Sequence, residues 1–384
     1  MSNSAVLDQL DLAPREWIDQ DGSPLPASFT SVEEEYWALK ESAGLMDLSG
    51  RGNLLVRGND AARFLHGMVS NEVKELQPGR GNYAFFLNVQ GHIQADARIL
   101  RLDADSFLLD CDRSRVDTVR QLLDKYIIAD DVAVVDQTTA LACLAIEGPC
   151  SLEVVREAIG FEPPHMLPLE HLEVPDLNLR LARSSISGEF GYWMWGAAPQ
   201  LADAWSKAAA AGSAMGARAV GHLASEVCRI EAGLPRYGAE IAGGSDGKTL
   251  PQETGQLQAL SYTKGCYLGQ EIVERIRARG HVNRKLVGLM FDGPQDVVPG
   301  SALTAAGKSV GSVTSVAYSY GLRRTIALAM VRRESSEPGT VLTISAPHAT
   351  ASSAGSTETS AGVGLEAEVA SLPFFYPMAR SRAV

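Results

Sequence analysis

Apolar and polar positions follow two periods along this chain. Strict alternation and short apolar runs predict strands at Asn53 to Arg57, Asn82 to Asn88, Ile93 to Leu102 and Ser106 to Cys111, with Gly91 and Asp103 to Asp105 as turns. Spacing of three and four predicts helices beginning near Asp60 and running from Arg113 to Tyr126. A second set follows, with strands at Ala140 to Ile146 and Leu177 to Ser184, and helices at Cys150 to Gly160 and Gln200 to Ala211. Residues 1–37 read as a polar arm entering the first ordered helix. The helices and short strands do not alternate as in a doubly wound sheet, so the class is α+β. From Lys285 the signal changes to short strands separated by Gly and Pro, at Leu286 to Phe291, Val310 to Val316 and Thr325 to Val331, which predicts a small β-barrel. The Ser/Thr/Ala/Gly-rich stretch 348–362 cannot bury a core and reads as a mobile loop. The boundaries that follow are an α+β domain over 38–140, a second over 141–285 and a barrel domain over 286–384.

Composition narrows the function classes. A chain of 384 residues suits two or three domains of roughly 150 residues. Thirty-four Lys and Arg against 46 Asp and Glu give a net charge of −12, which excludes a general grip on nucleic acid or anionic membrane, since both need a cationic footprint. No apolar run approaches the ~20 residues that cross a bilayer, and the N-terminus lacks the order of a signal or transit peptide. The expectation is a cytoplasmic protein. Cys111, Cys143, Cys150, Cys228 and Cys266 form no CxxC pair and have no His at zinc-finger spacing, so thiols are expected rather than disulfides, and no preformed metal site.

Four places could carry chemistry. Gly243 to Thr249 imitates a phosphate loop, but Ala242 stands where its first glycine is needed and Leu250-Pro251 follows where a helix should open; a surface turn is expected. Glu231 lies in the last turn of a helix whose stripe is Leu223, Val227 and Ile230, and which Gly233 and Pro235 end. The helix dipole disfavours a carboxylate there, so it needs a partner, either a structural Arg such as Arg229 or Arg236, or a ligand. Cys266 precedes a helix expected from about Gly269 to Gly280, with Lys264 two residues away and five further cations downstream. That setting favours thiolate, and the residues leave a reactive and an inert thiol both open. Asp96 lies in a strand after a turn and on composition is an ordinary exposed residue. The seven histidines are scattered.

The block Lys264-Gly265-Cys266-Tyr267-Leu268-Gly269-Gln270-Glu271 resembles the signature of the YgfZ-type folate-binding proteins, relatives of the glycine cleavage T-protein (aminomethyltransferase). Arg229 to Gly238, Leu123 to Val132, Ser187 to Tyr192 and Ile326 to Glu334 are similar to the wider superfamily, and the likeness spans about residues 40–377. The resemblance implies a three-domain ring around a central folate cavity, closed by the C-terminal barrel. It implies that Asp96 and Glu231 hold the pterin of tetrahydrofolate or a one-carbon derivative, with Tyr83 lining the cavity. Asp110 takes the place of an Asn in the T-protein's folate pocket, which implies a fourth folate-binding residue, although a third carboxylate there would add repulsion. T-proteins resemble Lys-Gly-Asp-Phe-x-Gly-Arg-Glu, so Cys266 is the decisive departure. Lys264, Gly265, Tyr267, Gly269, Gln270 and Glu271 support it.

The function implied is an accessory role in iron–sulfur protein assembly or repair, tRNA-modifying enzymes among the clients, with Cys266 as reactive thiol. The rival is an aminomethyltransferase in which Asp96 handles charge and protons; a silent folate sensor is a third. Lys264 to Lys285 carries six Lys and Arg against two Glu, +4 within a chain of −12. Within it, residues 275–285 form a basic strip that suits polyglutamylated folate, a cluster-bearing protein or one run of tRNA phosphates.

Overall fold

The computed structural model describes residues 4–20, 23–242, 247–344 and 364–374. The stretch 348–362 and residues 243–246 of the phosphate-loop imitation lie outside them. The chain forms two compact units, one of Met1–Cys228 with Gln256–Arg279 and one of Arg229–Gly255 with Gly280–Val384.

The first unit is built on two sheets. One is five-stranded and antiparallel, ordered Gly81–Leu87, Ile93–Arg101, Ser106–Cys111, Gly52–Arg57, Ala133–Asp136. The alternation expected at Ile93–Arg101 is present: Ile93, Ala95, Ala97 and Ile99 are buried, and Gln94, Asp96 and Arg98 between them are not. Ala95, Ala97, Ile99, Leu54, Val56, Phe107 and Leu109 pack into one cluster with Phe64 and Leu65 of the helix Ala61–Met68 and Val119 and Leu123 of the helix Val116–Tyr126. The other sheet has six strands, ordered His171–Val174, Leu179–Arg183, Gly191–Gly196, Ala142–Glu147, Gly44–Asp47, Arg218–Ala219, the last pair parallel. Leu45, Leu144, Ile146, Leu181 and Met194 pack with the helices Ser151–Ile159 and Ala198–Gly212. Each sheet thus has one face under helices. The remaining faces meet, since Arg98 of the first lies over the ring of Trp193 of the second, 4.1 Å from its centroid.

The N-terminal arm is corrected. Residues 4–20 and 23–28 are more than a polar arm: Ala5–Leu10 is a helix, and Glu16–Gln20 pairs antiparallel with Ser23–Ser28 before the expected helix at Val32–Glu41. Val6 and Leu7 are buried against Leu201 and Trp205, and that apolar contact fixes a helix too short to persist alone.

In the second unit six strands close the expected barrel, ordered Arg284–Met290, Arg324–Arg332, Lys308–Ser319, Ala302–Ala305, Val341–Ile344, Leu365–Ala370. Val287, Leu289, Leu303, Val313, Ala329, Leu342 and Val369 fill it. Among the described residues no helix is long and apolar enough to cross a membrane.

Candidate functional site

The facing surfaces of the two sheets carry polar groups. Asp96, Arg98, Asp110 and Asn53 leave the five-stranded sheet on the side opposite its helices, because Ala95, Ala97, Leu109 and Leu54 between them go to the core. Asp96 is half-buried, and the Tyr83 hydroxyl donates to its Oδ2 at 2.8 Å. Among the described residues this is the one hydrogen bond to that carboxylate. Burial raises the Asp96 pKa above the usual carboxylate value, against the opposing pull of Tyr83, Arg51 and Arg98. The same burial, with the Asp96 charge, holds the Tyr83 phenol well above its ordinary value, so it stays a donor.

Asp110 corrects the expectation of a repulsive third carboxylate. Its side chain is fully buried and its charge is answered by two cations. Arg51 forks onto it, Nε to Oδ1 at 2.7 Å and Nη2 to Oδ2 at 2.8 Å, and Arg98 Nη1 approaches Oδ2 at 3.3 Å. Arg98 is further tied by Nε to Ser184 Oγ at 3.0 Å and by Nη2 to the Ser185 carbonyl at 2.9 Å. The Trp193 ring beneath both guanidiniums is fixed by its own Nε1, which donates to Glu147 Oε1 at 2.8 Å. Glu147 also accepts from the backbone N–H of Ile186 and Ser187, at 2.9 and 3.0 Å, so the Ser187 to Tyr192 block turns around a buried carboxylate. Asp110 is therefore scaffold for the Asp96 site.

Glu231 belongs to the other unit. It ends the helix His222–Glu231 and is buried, with the Ser319 hydroxyl donating to Oε1 at 2.5 Å. Arg229, one candidate partner, is held by Glu240 Oε2 at 3.0 Å and by Ser315 Oγ at 2.8 Å.

The Lys264 to Glu271 block lies in the first unit, and folding accounts for most of it. Lys264 is buried and its Nζ donates to the carbonyls of His66, Val69 and Asn71 at 2.6, 2.7 and 2.6 Å. Burial lowers its pKa to about 8. Tyr267 is buried, and Gln270 Oε1 accepts from its backbone N–H at 3.3 Å. Gly269 has φ +82°, and a Cβ there would stand 2.6 Å from the Asn88 carbonyl and 2.9 Å from Leu87 Cβ, so only glycine seats the helix Gln270–Arg279 on the turn before the Asp96 strand. Glu271 pairs with Arg275 at 2.6 Å. Cys266 is exposed, as Glu271 is, whereas Cys111, Cys143 and Cys228 are buried. The expected basic strip is divided: Arg275 and Arg277 pair with Glu271 and Glu274 in the first unit, Arg284 and Lys285 with Glu253 and Glu337 in the second. Its positive potential is lower than the residue count suggests.

Sequence reasoning missed Arg51, Arg98, Trp193 and Glu147. The i, i+2 spacing of Asp96 and Arg98 put them on one face, but a polar face opposite a core reads as solvated unless a second sheet is known to cover it.

Comparison with known proteins places these elements in context. The family described as the GCVT N-terminal domain matches residues 13–263, and the glycine cleavage T-protein C-terminal barrel domain matches residues 284–375. An aminomethyltransferase of Bacillus subtilis is 30% identical over 85% of this chain and 90% of its own length. One of Halalkalibacterium halodurans is 30% identical over 84% and 88%. The crystal structure of the glycine cleavage system aminomethyltransferase T of Bartonella henselae superposes with a TM-score of 0.85 at 22% identity, covering 97% of this chain and 98% of that one. That likeness shows the T-protein fold, including the closed barrel.

Proposed function

The chain belongs to the glycine cleavage T-protein (aminomethyltransferase) family, and from that premise we propose that it binds tetrahydrofolate or a one-carbon derivative at Asp96 and moves a one-carbon unit as an aminomethyltransferase does. The observation that carries the reading is the Asp96–Tyr83 pair: a half-buried carboxylate with one oxygen engaged and a pKa raised by burial. Such a group fits a pterin, whose amino-pyrimidinone edge offers two parallel N–H donors to a carboxylate. Bound tetrahydrofolate would supply the amine that accepts the one-carbon unit. Tyr83 orients the carboxylate, the Arg51–Asp110–Arg98 network over Trp193 keeps the floor rigid, and Asp96 can take and return a proton more readily than an ordinary carboxylate. The proposed setting is the cytoplasm.

Titration of the purified protein with tetrahydrofolate tests the site. Asp96→Ala should weaken binding at least about tenfold, the loss of a charge-assisted pair of hydrogen bonds; unchanged affinity in that variant refutes the site. Release of ammonia and methylenetetrahydrofolate from an aminomethyl-lipoyl carrier tests the transfer.

One observation favours a second reading. Cys266 is exposed on an otherwise structural block, which suits the YgfZ-type role in iron–sulfur assembly or repair, with cluster-bearing client proteins, or one tRNA phosphate run at 275–285, as partners. If Cys266→Ser fully restores iron–sulfur enzyme activity in a strain lacking the protein, that reading fails.

A further inference from the structure

Of the two guanidiniums on the floor of the Asp96 site, one has no nitrogen to spare. Arg98 commits Nε, Nη1 and Nη2 to Ser184, Asp110 and the Ser185 carbonyl. Arg51 commits only Nε and Nη2, both to Asp110. Among the described residues its Nη1 donates to nothing, although the side chain is only 17% exposed. The fork onto a fully buried carboxylate and the Trp193 face 5.4 Å from the guanidinium carbon fix the plane in which that nitrogen lies. Strand register puts both at the same end of one sheet: Cys111 is opposite both Ala97 and Gly52, so Asp96 and Arg51 stand in one row on either side of the central strand Ser106–Cys111, near enough for each to act on the other's charge.

We propose that Arg51 is a specificity-determining residue of this site, its Nη1 donating to a ring oxo group adjacent to the N–H edge that Asp96 accepts. The inference rests on the reading that Asp96 holds a pterin. The pyrimidinone ring presents an amino group, a ring N–H and an oxo oxygen in sequence, two donors and one acceptor. A carboxylate beside an idle guanidinium N–H offers the complementary order. A ring carrying an amino group in place of the oxo would set donor against donor and leave Nη1 unanswered in a partly dry site, which discriminates against it. Lysine could keep a charge near Asp110 but not the planar fork that aims the second arm.

Aminopterin carries an amino group where folic acid has the 4-oxo group and so also lacks the ring N–H at position 3; competition between the two in equilibrium titrations of the full chain therefore reads Arg51 through the difference between the wild type and its Arg51 variants. The wild type should prefer folic acid by at least about tenfold. Arg51→Lys should bind folic acid still and lose most of that preference, to about twofold; Arg51→Gln, with its thermal midpoint recorded, gives the same reading without the charge. Equal affinity of the wild type for both ligands, or a preference that survives Arg51→Lys, overturns the role of Arg51 while leaving the pterin reading in place. Failure of the wild type to bind folic acid, aminopterin and tetrahydrofolate overturns both.

Discussion

Asp110 is the residue whose removal most directly tests how the site is built. Its carboxylate is fully buried and receives Arg51 at 2.7 Å and Arg98 at 3.3 Å. Removing one partner of a buried ion pair costs about 3–5 kcal/mol, mostly because the remaining charge stays in a poorly solvated place. Here two guanidiniums are left, each only about one-sixth exposed, with Trp193 and the Ser184–Ser185 segment as their remaining company. Asp110→Ala should therefore cost about 4 kcal/mol. Asp110→Asn keeps one acceptor oxygen and should cost about 2 kcal/mol. At ~2–4 °C per kcal/mol for a unit of this size, the alanine variant should melt about 10 °C lower. Urea titration followed by far-ultraviolet circular dichroism gives the free energies, and calorimetry the midpoints. The double variant Arg51→Met, Asp110→Leu should be less damaged than Asp110→Ala, because it removes the fork as a pair rather than stranding Arg51. A stability of Asp110→Ala within about 0.5 kcal/mol of wild type would mean that water reaches both arginines, and the description of Asp110 as a dry scaffold would be wrong.

Two further expectations concern parts of the first unit that position the site. His171 is buried, and its Nδ1 lies 2.9 Å from Arg180 Nη1; burial first and that cation second lower its pKa to about 4 from 6.5. A histidine kept neutral in the fold contributes stability that is full above about pH 6.5 and is lost as pH falls toward about 4, at most about 3 kcal/mol. His171→Gln should flatten the urea midpoint across that window, and an unchanged slope would show that other groups set it. Gly269→Ala adds a Cβ 2.6 Å from the Asn88 carbonyl at φ +82°, which should lower stability by about 2 kcal/mol; a thermal midpoint equal to wild type would show that the helix Gln270–Arg279 is not seated by this glycine.

How far the molecule could be read from its sequence depends on what each signal reports. The helices at Arg113 to Tyr126 and Gln200 to Ala211, and the strand at Ile93 to Leu102, were legible because each buries one side only, and one-sided burial writes its period into the residues. The barrel was legible because Gly and Pro mark the turns between short apolar strands. Residues 4–20 and 23–28 were not: their helix has six residues, too few to show a period, and Pro24 and Pro26 argue against the strand that a two-stranded antiparallel pair tolerates. Within the site, the side of the sheet that carries Asp96 was legible and its environment was not. Alternation says that Asp96 and Arg98 leave the core, and it says nothing of a second sheet that brings Trp193 over them. The partner of Asp110 was equally hidden, because Arg51 precedes its strand and meets Asp110 59 residues on through pairing alone.

The Lys264 to Glu271 block shows why family likeness and function separate at single side chains. Lys264 closes three carbonyls, Gly269 permits a close approach, Tyr267 fills the interior, and Gln270 and Glu271 form local bonds. Those tasks belong to the scaffold, so a chain 30% identical to aminomethyltransferases can keep them while other positions change. An exposed position is where a substitution costs least in stability, usually within about 0.5 kcal/mol. Cys266 is such a position. Arg51 is its counterpart at the other site: its fork to Asp110 is structural, but the nitrogen left over is not. In the readings proposed above, the fold fixes where a ligand edge and a thiol act, and these two side chains are the ones whose replacement separates those readings.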